Sequence, residues 1–514
     1  MDYDAIIVGS GFGGSVSALR LSEKGYRVLV VEKGRRFAPE DFPKTNREVN
    51  RWLWAPRLGW RGLFKMTFLP HITALSGVGV GGGSLVYANT LPHPPDSFFK
   101  GEGWAHLADW KKELEPHYQT ARRMLGATTN KLPRDADHAL AAVARATGRE
   151  EQYKMNPVGV YFGEAGVTSP DPYFDGRGPE RTGCIGCGGC MLGCRYNSKN
   201  TLDKNYLYLA ENLGAEILAD TEVTWINPLQ EGYRVATSRG EYTAGRVFLC
   251  GGVMGTVPLL LKLKESAQGL PKLSSQLGDF VRTNSESLIG VVSNNHELDF
   301  SQGVAIGSIL QTDEHSHIEP CRYPPGSDFF RFLAAPHVPG SHAVERLAHL
   351  VRTLVTNPVR YLRSIFKSDH ARRTAILLYM RSIDGHLRLK LGRNIWTGFQ
   401  RGLSSEHTTG PRPTNSIPEA TELAREYARQ VDGFAHSLIT ETLLGIPTTA
   451  HILGGCCMGT NASEGVIDVN QEVFGYPGLF VVDGSAMSAN LGVNPSLTIT
   501  AMAERALSKI PSRV

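Results

Sequence analysis

No uninterrupted apolar run in these 514 residues approaches the ~18–20 that a membrane-spanning helix needs, so the chain does not read as an integral membrane protein. A large charge excess is missing too. Against 54 basic side chains stand 50 acidic ones, a formal net charge of +4, where nucleic-acid binders carry a concentrated basic surplus. No nucleic-acid partner is expected. Internal repeats and low-complexity tracts are absent. Met1-Asp2-Tyr3-Asp4 runs straight into Ala5-Ile6-Ile7-Val8 without a basic leader, a signal-length apolar stretch or a twin arginine, and a cytoplasmic location is expected. The eight cysteines then read as thiols or metal ligands rather than disulfides. What is plentiful is apolar residue, 41%, enough to bury a large core over two to four lobes. Glycine is also abundant and clustered, which makes it positional.

The first cluster follows a short buried-strand pattern. Residues 4–8 lead into Gly9-Ser10-Gly11-Phe12-Gly13-Gly14, and Ser15–Leu21 continues as a helix. Strand, G-x-G-x-x-G, helix is the dinucleotide fingerprint. Gly9 makes the tight turn, Gly11 lets a pyrophosphate approach, and Gly14 packs helix on strand, while the helix start offers free N–H groups to the phosphates. A second strand, Arg27–Val31, ends in Glu32, eighteen residues after Gly14. An acid there bonds a ribose diol and repels a 2′-phosphate, so FAD or NAD fits and NADP does not.

The second cluster, Gly77-Val78-Gly79-Val80-Gly81-Gly82-Gly83-Ser84, places five glycines in seven positions between apolar stretches. It suits a backbone pressed against a flat ligand better than it suits a polar linker. Near the C-terminus, His451 stands immediately before Gly454-Gly455, separated only by Ile452-Leu453. A buried strand, Leu479–Val482, ends at Asp483-Gly484, and Asn494 precedes Pro495 at the start of a helix over Ser496–Leu507. Histidine is a natural base for removing a hydroxyl proton near neutral pH. A hydrogen-bonded structural histidine is the plainer alternative.

The fingerprint, the GVGGGS-type loop and this C-terminal block resemble the glucose–methanol–choline (GMC) oxidoreductases, most closely their cholesterol oxidase branch in its actinobacterial form. That resemblance implies a mixed α/β fold. A discontinuous Rossmann-like FAD domain (1–48, 71–92, 182–290 and 445–514) would be combined with a substrate domain on a mostly antiparallel sheet (49–70, 93–181 and 291–444). It implies non-covalent FAD, although His71 lies near the region where some members attach the flavin. Residues expected at the cofactor are Gly9, Gly11, Phe12, Gly14, Glu32, Gly79, Gly82, Gly83, Ser84, Asn89, Val223, Gly251, Asp483, Gly484 and Asn494. His451 and Asn494 take the roles of active-site floor. Glu319, within His317-Ile318-Glu319-Pro320-Cys321-Arg322, resembles the glutamate that moves a proton in Δ5-to-Δ4 isomerisation. The implied activity is FAD-dependent oxidation of a sterol or similar lipophilic alcohol. A long-chain or terpenoid alcohol dehydrogenase and a non-redox steroid isomerase using only Glu319 are the alternatives.

One feature departs from the branch. Cys184, Cys187, Cys190 and Cys194 follow the ferredoxin spacing C-x2-C-x2-C-x3-C, but Arg195 replaces the usual proline and no second run exists. An iron–sulfur cluster, a structural zinc and no metal at all stand open. A cluster would pass electrons from flavin to a redox carrier rather than to oxygen. After the run, residues 199–207 are expected to start a helix, and 404–416 to form a polar loop. Residues 51–68 interleave Trp52, Trp54 and Trp60 with Arg51, Arg57, Arg61 and Lys65. The stretch 341–373 carries seven Lys/Arg against two acids, with leucines and valines at helical spacing. Both are candidate surfaces for peripheral contact with the inner face of a membrane, and a basic outer face of the substrate domain is the alternative.

Overall fold

The computed structural model describes residues 1–338, 340, 343–356, 358 and 369–513. Two seven-stranded sheets organise them. In the first, Tyr3–Val8 pairs in parallel with Val28–Val31 on one side and Gly240–Leu249 on the other. Glu216–Leu218 extends one edge and Leu479–Val481 joins Gly240–Leu249, both in parallel. An antiparallel meander, Val223–Pro228 and Tyr233–Thr237, completes it. All four residues of Val28–Val31 are buried, as expected of a parallel strand covered on both faces. The helix Phe12–Glu23 packs on this sheet and against the helices Tyr206–Asn212 and Ser496–Ser508.

The second sheet is antiparallel throughout its seven strands. Its central strands are Ser287–Ser293, Thr374–Arg381 and Ser316–Cys321. One face packs on the helices Asp135–Ala146 and Pro418–Gln430. The other looks toward the carboxyl ends of the parallel strands, where open α/β sheets place their ligands.

Three expectations need correction. Residues 404–416 do not form a loop throughout, because Gly402–Thr409 pairs with His386–Gly392 as a hairpin. Polar composition misleads there: Ser404 and Ser405 are buried, their hydroxyls against Asn394 and His71, while Glu406 is exposed. The segment 51–68 is only in part an exposed surface, with Leu58 and Phe68 exposed and Trp54 and Trp60 half-buried. Trp52 is 0% exposed and stacks on Phe64, and Leu63 is buried with it. After the cysteine run the chain makes only a short turn at Leu202–Lys204. It starts its helix at Tyr206, where the Asn205 side chain accepts the Tyr206 N–H. In contrast, Ala343–Thr356 is a helix whose Val344, Leu347, Val351, Leu354 and Val355 face outward. Residues 341–342, 357 and 359–368 of that basic stretch lie outside the described residues.

Backbone-on-backbone contact sets the spacing of the first domain. A Cβ on Gly13 would lie 1.5 Å from the Val482 carbonyl oxygen, and one on Gly14 2.0 Å from that of Gly9. Gly13→Ala should therefore destabilise the protein by about 2–3 kcal/mol, since the intruding methyl meets main chain that cannot rotate away. Thermal unfolding of the apoprotein checks this, and an unchanged melt would mean that the helix can shift without cost.

Candidate active site

A cavity of about 850 Å³ separates the two sheets. One end is walled by the loops at the ends of the parallel strands, Gly9–Gly13, Glu32, Gly82-Gly83, Gly251–Thr256 and Asp483-Gly484. The other end is walled by the antiparallel sheet, with Leu288, Ile306, Cys321, Ile376 and Leu378. Glycine-rich backbone thus meets an apolar face, and the titratable groups gather at the junction.

The glycine end has the form of a cofactor cradle. The helix Phe12–Glu23 has Gly11 as its N-cap with no side-chain cap, so its first N–H groups are open to a ligand. A Cβ on Gly11 would meet nothing nearer than 4.0 Å, and those on Gly252 and Gly255 nothing within 4 Å; all three line the cavity. Those glycines are not required by protein packing, so the space beside them suits a bound group. Glu32 sits at the end of its strand with both carboxylate oxygens occupied by the cradle itself. Ser10 donates its N–H (3.1 Å) and hydroxyl (2.8 Å) to Oε2, and the N–H groups of Gly34 and Gly79 reach Oε1. Asp483 fastens the opposite side, where its Oδ2 accepts from the Gly252 N–H (2.8 Å) and the Thr256 hydroxyl (2.6 Å) and its Oδ1 caps Ser485. Burial pushes its carboxyl above the usual range, against the pull of these donors.

Of the residues expected at the cofactor, Gly9, Gly11, Phe12, Glu32, Gly82, Gly83, Val223, Gly251, Asp483, Gly484 and Asn494 line this cavity. Gly14, Gly79, Ser84 and Asn89 lie behind its wall. Gly79 (φ 135°) is a glycine because a Cβ would strike Phe37 and Leu85. Ser84 bridges the Gly81 carbonyl and the Leu202 N–H, and Asn89 faces the Cys190 thiol. His71 also lies off the wall, with its Nδ1 at 3.0 Å from the Ser405 hydroxyl.

At the junction His451 and Asn494 come together. His451 follows the short strand Thr448–Thr449, which is pinned in parallel to Thr73–Gly77. Asn494 stands just ahead of Pro495 and the helix Ser496–Ser508. The Asn494 amide Nδ2 lies 3.4 Å from His451 Nε2, and its Oδ1 has no protein partner among the described residues. Glu319 is 0% exposed on the strand Ser316–Cys321 and does not reach the cavity wall. It stands behind Asn494, taking a hydrogen bond from Asn156 Nδ2 at 3.0 Å. Burial pushes its carboxyl up to about 7, with Asn156, His451 and Asn494 pulling the other way. His317, 3.9 Å from it, is driven by burial down to about 3 and stays neutral.

Sequence reasoning missed Glu286. It lines the cavity and meets His451 Nδ1 at 2.6 Å. Burial lowers the His451 pKa, but the charge of Glu286 and its hydrogen bond, with a smaller push from Glu319, more than offset that, and the imidazole titrates above its ordinary value. Asn-Ser-Glu-Ser has no signature. Only the fold brings the acid to a histidine 165 residues away.

The iron–sulfur and zinc readings of the cysteine run gain no support from its geometry. Among the described residues no three His, Cys, Asp or Glu side chains are grouped to hold an ion. The run is laid against neighbouring backbone instead. Cys187 bridges to Gly303, a Cβ on Gly188 would collide with the Ser301 carbonyl, and one on Gly193 with Phe42. Its glycines thus serve packing. Burial raises the pKa of Cys184, Cys187 and Cys190.

Comparison with known proteins agrees with this geometry. A Rossmann-like NAD(P)-binding domain model matches residues 7–41, and a GMC oxidoreductase model matches residues 363–503. A cholesterol oxidase of Acinetobacter baumannii is 44% identical over the whole of this chain and 95% of its own length. The chain belongs to the GMC oxidoreductases, in their cholesterol oxidase-like branch. A cholesterol oxidase of Mycobacterium tuberculosis is also 44% identical, over the whole of this chain and 92% of its own. The fold is shared with two solved oxidases. A pyridoxine 4-oxidase from Mesorbium loti superposes with a TM-score of 0.63 and a formate oxidase with 0.61, both at 14% identity and covering 98% of this chain. GMC oxidoreductases bind FAD, and the cradle fits it.

Because nothing in the protein occupies the space beside Gly11, Gly11→Ala should leave apoprotein stability within about 0.5 kcal/mol of the parent. It should lower flavin affinity about tenfold or more. Melting curves and flavin titration separate the two, and full flavin retention would place the phosphates elsewhere.

Proposed function

We propose that this GMC oxidoreductase oxidises the hydroxyl of a 3-hydroxysterol or similar lipophilic alcohol to the ketone. The observation that carries this reading is the His451–Asn494 pair at the junction of glycine cradle and apolar sheet, in a chain 44% identical over its full length to cholesterol oxidases. Bound FAD, held by the Gly9–Gly14, Gly82-Gly83 and Gly251–Thr256 loops, supplies the hydride acceptor. Neutral His451 takes the hydroxyl proton on Nε2, the nitrogen that faces Asn494. Asn494 orients the alcohol oxygen with its amide, and the sheet residues Leu288, Ile376 and Leu378 exclude water around the apolar body.

Glu319, one layer behind Asn494, is assigned the conversion of a Δ5-ketone to its conjugated isomer, a role that requires Asn494 to turn aside and open it to the cavity. A carboxyl poised near 7 can both give and take a proton at neutral pH. Its place behind Asn494 disfavours an isomerase relying on Glu319 alone. As acceptor of the electrons we favour dioxygen, as the relatives' names imply, over a carrier fed by a cluster, because no three ligating side chains are grouped to hold an ion among the described residues. A peripheral bilayer contact by the helix Ala343–Thr356 has support from its outward Val344 (80% exposed), Leu347, Val351 and Val355 (74%). It packs against Ile439–Leu444, which directly follows the cavity-lining Leu438.

Four measurements test the reading. In anaerobic stopped flow, sterol should reduce the flavin of the parent, and His451→Asn should slow this by about 10²–10⁴-fold. Glu319→Gln should keep oxidation and lose isomerisation, and a parent flavin that no sterol reduces would end the proposal. Iron and acid-labile sulfide analysis of anaerobically purified protein should find flavin without stoichiometric iron. About four iron and four sulfide per chain would restore the dehydrogenase reading. The pair Leu347→Glu and Val351→Glu should weaken flotation with anionic phosphatidylglycerol vesicles about tenfold while leaving turnover of detergent-solubilised sterol unchanged.

A further inference from the structure

Residues 284–286 grip both loops that carry the catalytic pair. Asn284 and Ser285 are consecutive non-glycine residues in the left-handed region, φ 52° and 43°, a strained arrangement that persists only where its surroundings fix it. Asn284 Nδ2 donates to the Val493 carbonyl at 2.7 Å, and its Oδ1 accepts the Gly492 N–H at 3.2 Å, both in the loop that ends in Asn494. The Ser285 hydroxyl donates to the Ile383 carbonyl at 2.9 Å. The strained pair thereby aims Glu286 at the other loop. Its Oε1 accepts the Ala450 N–H at 3.1 Å, and its Oε2 faces His451 Nδ1 at 2.6 Å.

A carboxylate can only accept here, so the proton of a neutral His451 sits on Nδ1 and the lone pair on Nε2 faces Asn494 and the cavity. We propose that Glu286 is the positioning residue of this site, fixing His451 as the Nδ1–H tautomer and stabilising the imidazolium formed when the substrate's hydroxyl proton arrives on Nε2. The O–H bond breaks toward Nε2 and Glu286 itself takes up no proton. The inference rests on the alcohol-oxidation reading for its chemistry and on the geometry alone for its effect on His451.

The other groups around the histidine do not replace Glu286. From the strand Ser316–Cys321, Glu319 exerts a smaller pull on His451, His317 is neutral, and burial holds the Cys321 thiol protonated. From the helix Ile439–Leu444, Glu441 stands within electrostatic reach of Glu286, and burial raises its carboxyl to about 7. The raised His451 pKa also sets the sign of the pH effect. Below that pKa the base is already protonated, so flavin reduction should rise with pH through it.

The experiment compares the parent holoenzyme with Glu286→Gln, Glu286→Asp and Glu286→Gln combined with His451→Asn. It uses ¹³C-histidine NMR titration and the pH profile of anaerobic flavin reduction. In Glu286→Gln the His451 midpoint and the acid limb should both move down by about one unit or more, and the plateau rate should fall about 100-fold. Added to His451→Asn, the same change should cost less than about threefold, because Glu286 acts through the histidine. A midpoint and acid limb unchanged in Glu286→Gln would overturn the proposal, as would full additivity with His451→Asn. Should Glu286→Gln lose its flavin, Glu286→Asp decides. A midpoint displaced part of the way supports the role, and parental midpoint and rate overturn it. If no sterol reduces the parent flavin, the functional reading falls while the NMR titration still decides the role of Glu286.

Discussion

Main chain packed directly on main chain is the constraint on which this protein depends. Gly13 lies against the Val482 carbonyl, Gly14 against that of Gly9, and Gly82 against the Gly11 Cα. No side chain larger than hydrogen fits at these crossings, and two carboxylates lock them. Glu32 collects N–H groups from three separate segments, and Asp483 ties the Gly252 turn to the C-terminal strand. Buried carboxylates satisfied by several donors give a rigid, directional join that apolar contact cannot. The cradle is therefore held together by the protein's own contacts, with its open glycine faces turned inward.

The proposed catalytic junction inherits that rigidity. His451 is pinned through a parallel bridge to the second glycine segment, and Asn494 through the helix that packs on Phe12–Glu23. The antiparallel sheet then brings acids of different character from the far side. Glu319 is held near neutrality by burial, whereas Glu286 meets the imidazole directly. Two glutamates in one site thus take different roles because their surroundings differ.

The cysteine run shows how far a spacing can carry. C-x2-C-x2-C-x3-C places four thiols within eleven residues, yet ligation needs them to converge, and convergence depends on where the loop's neighbours lie. Here Ser301, Gly303 and Phe42 take the glycine faces that a cluster-binding loop would keep for wrapping. Trp52 makes a similar point, since within an aromatic–basic stretch that looks interfacial this one ring is folded under by its stack on Phe64 while Leu58 and Phe68 stay exposed.

Much was legible in the sequence by itself. The glycine fingerprint, the strand–helix–strand unit with Glu32, the second glycine cluster and the block holding His451, Asp483 and Asn494 are each local. Backbone freedom, period and caps are decided within a few residues, so a dinucleotide cradle and the proposed His451–Asn494 pair could be read from short windows, with FAD following from the family resemblance. Tertiary structure alone decided which of these residues face the cavity. It drew Gly79, Ser84 and Asn89 behind the wall and paired Gly402–Thr409 as a hairpin. It set Glu319 one layer behind Asn494 and delivered Glu286 across 165 residues to His451. Those outcomes depend on strand register and loop strain, which are set by contacts between distant segments and leave no periodic trace in the chain.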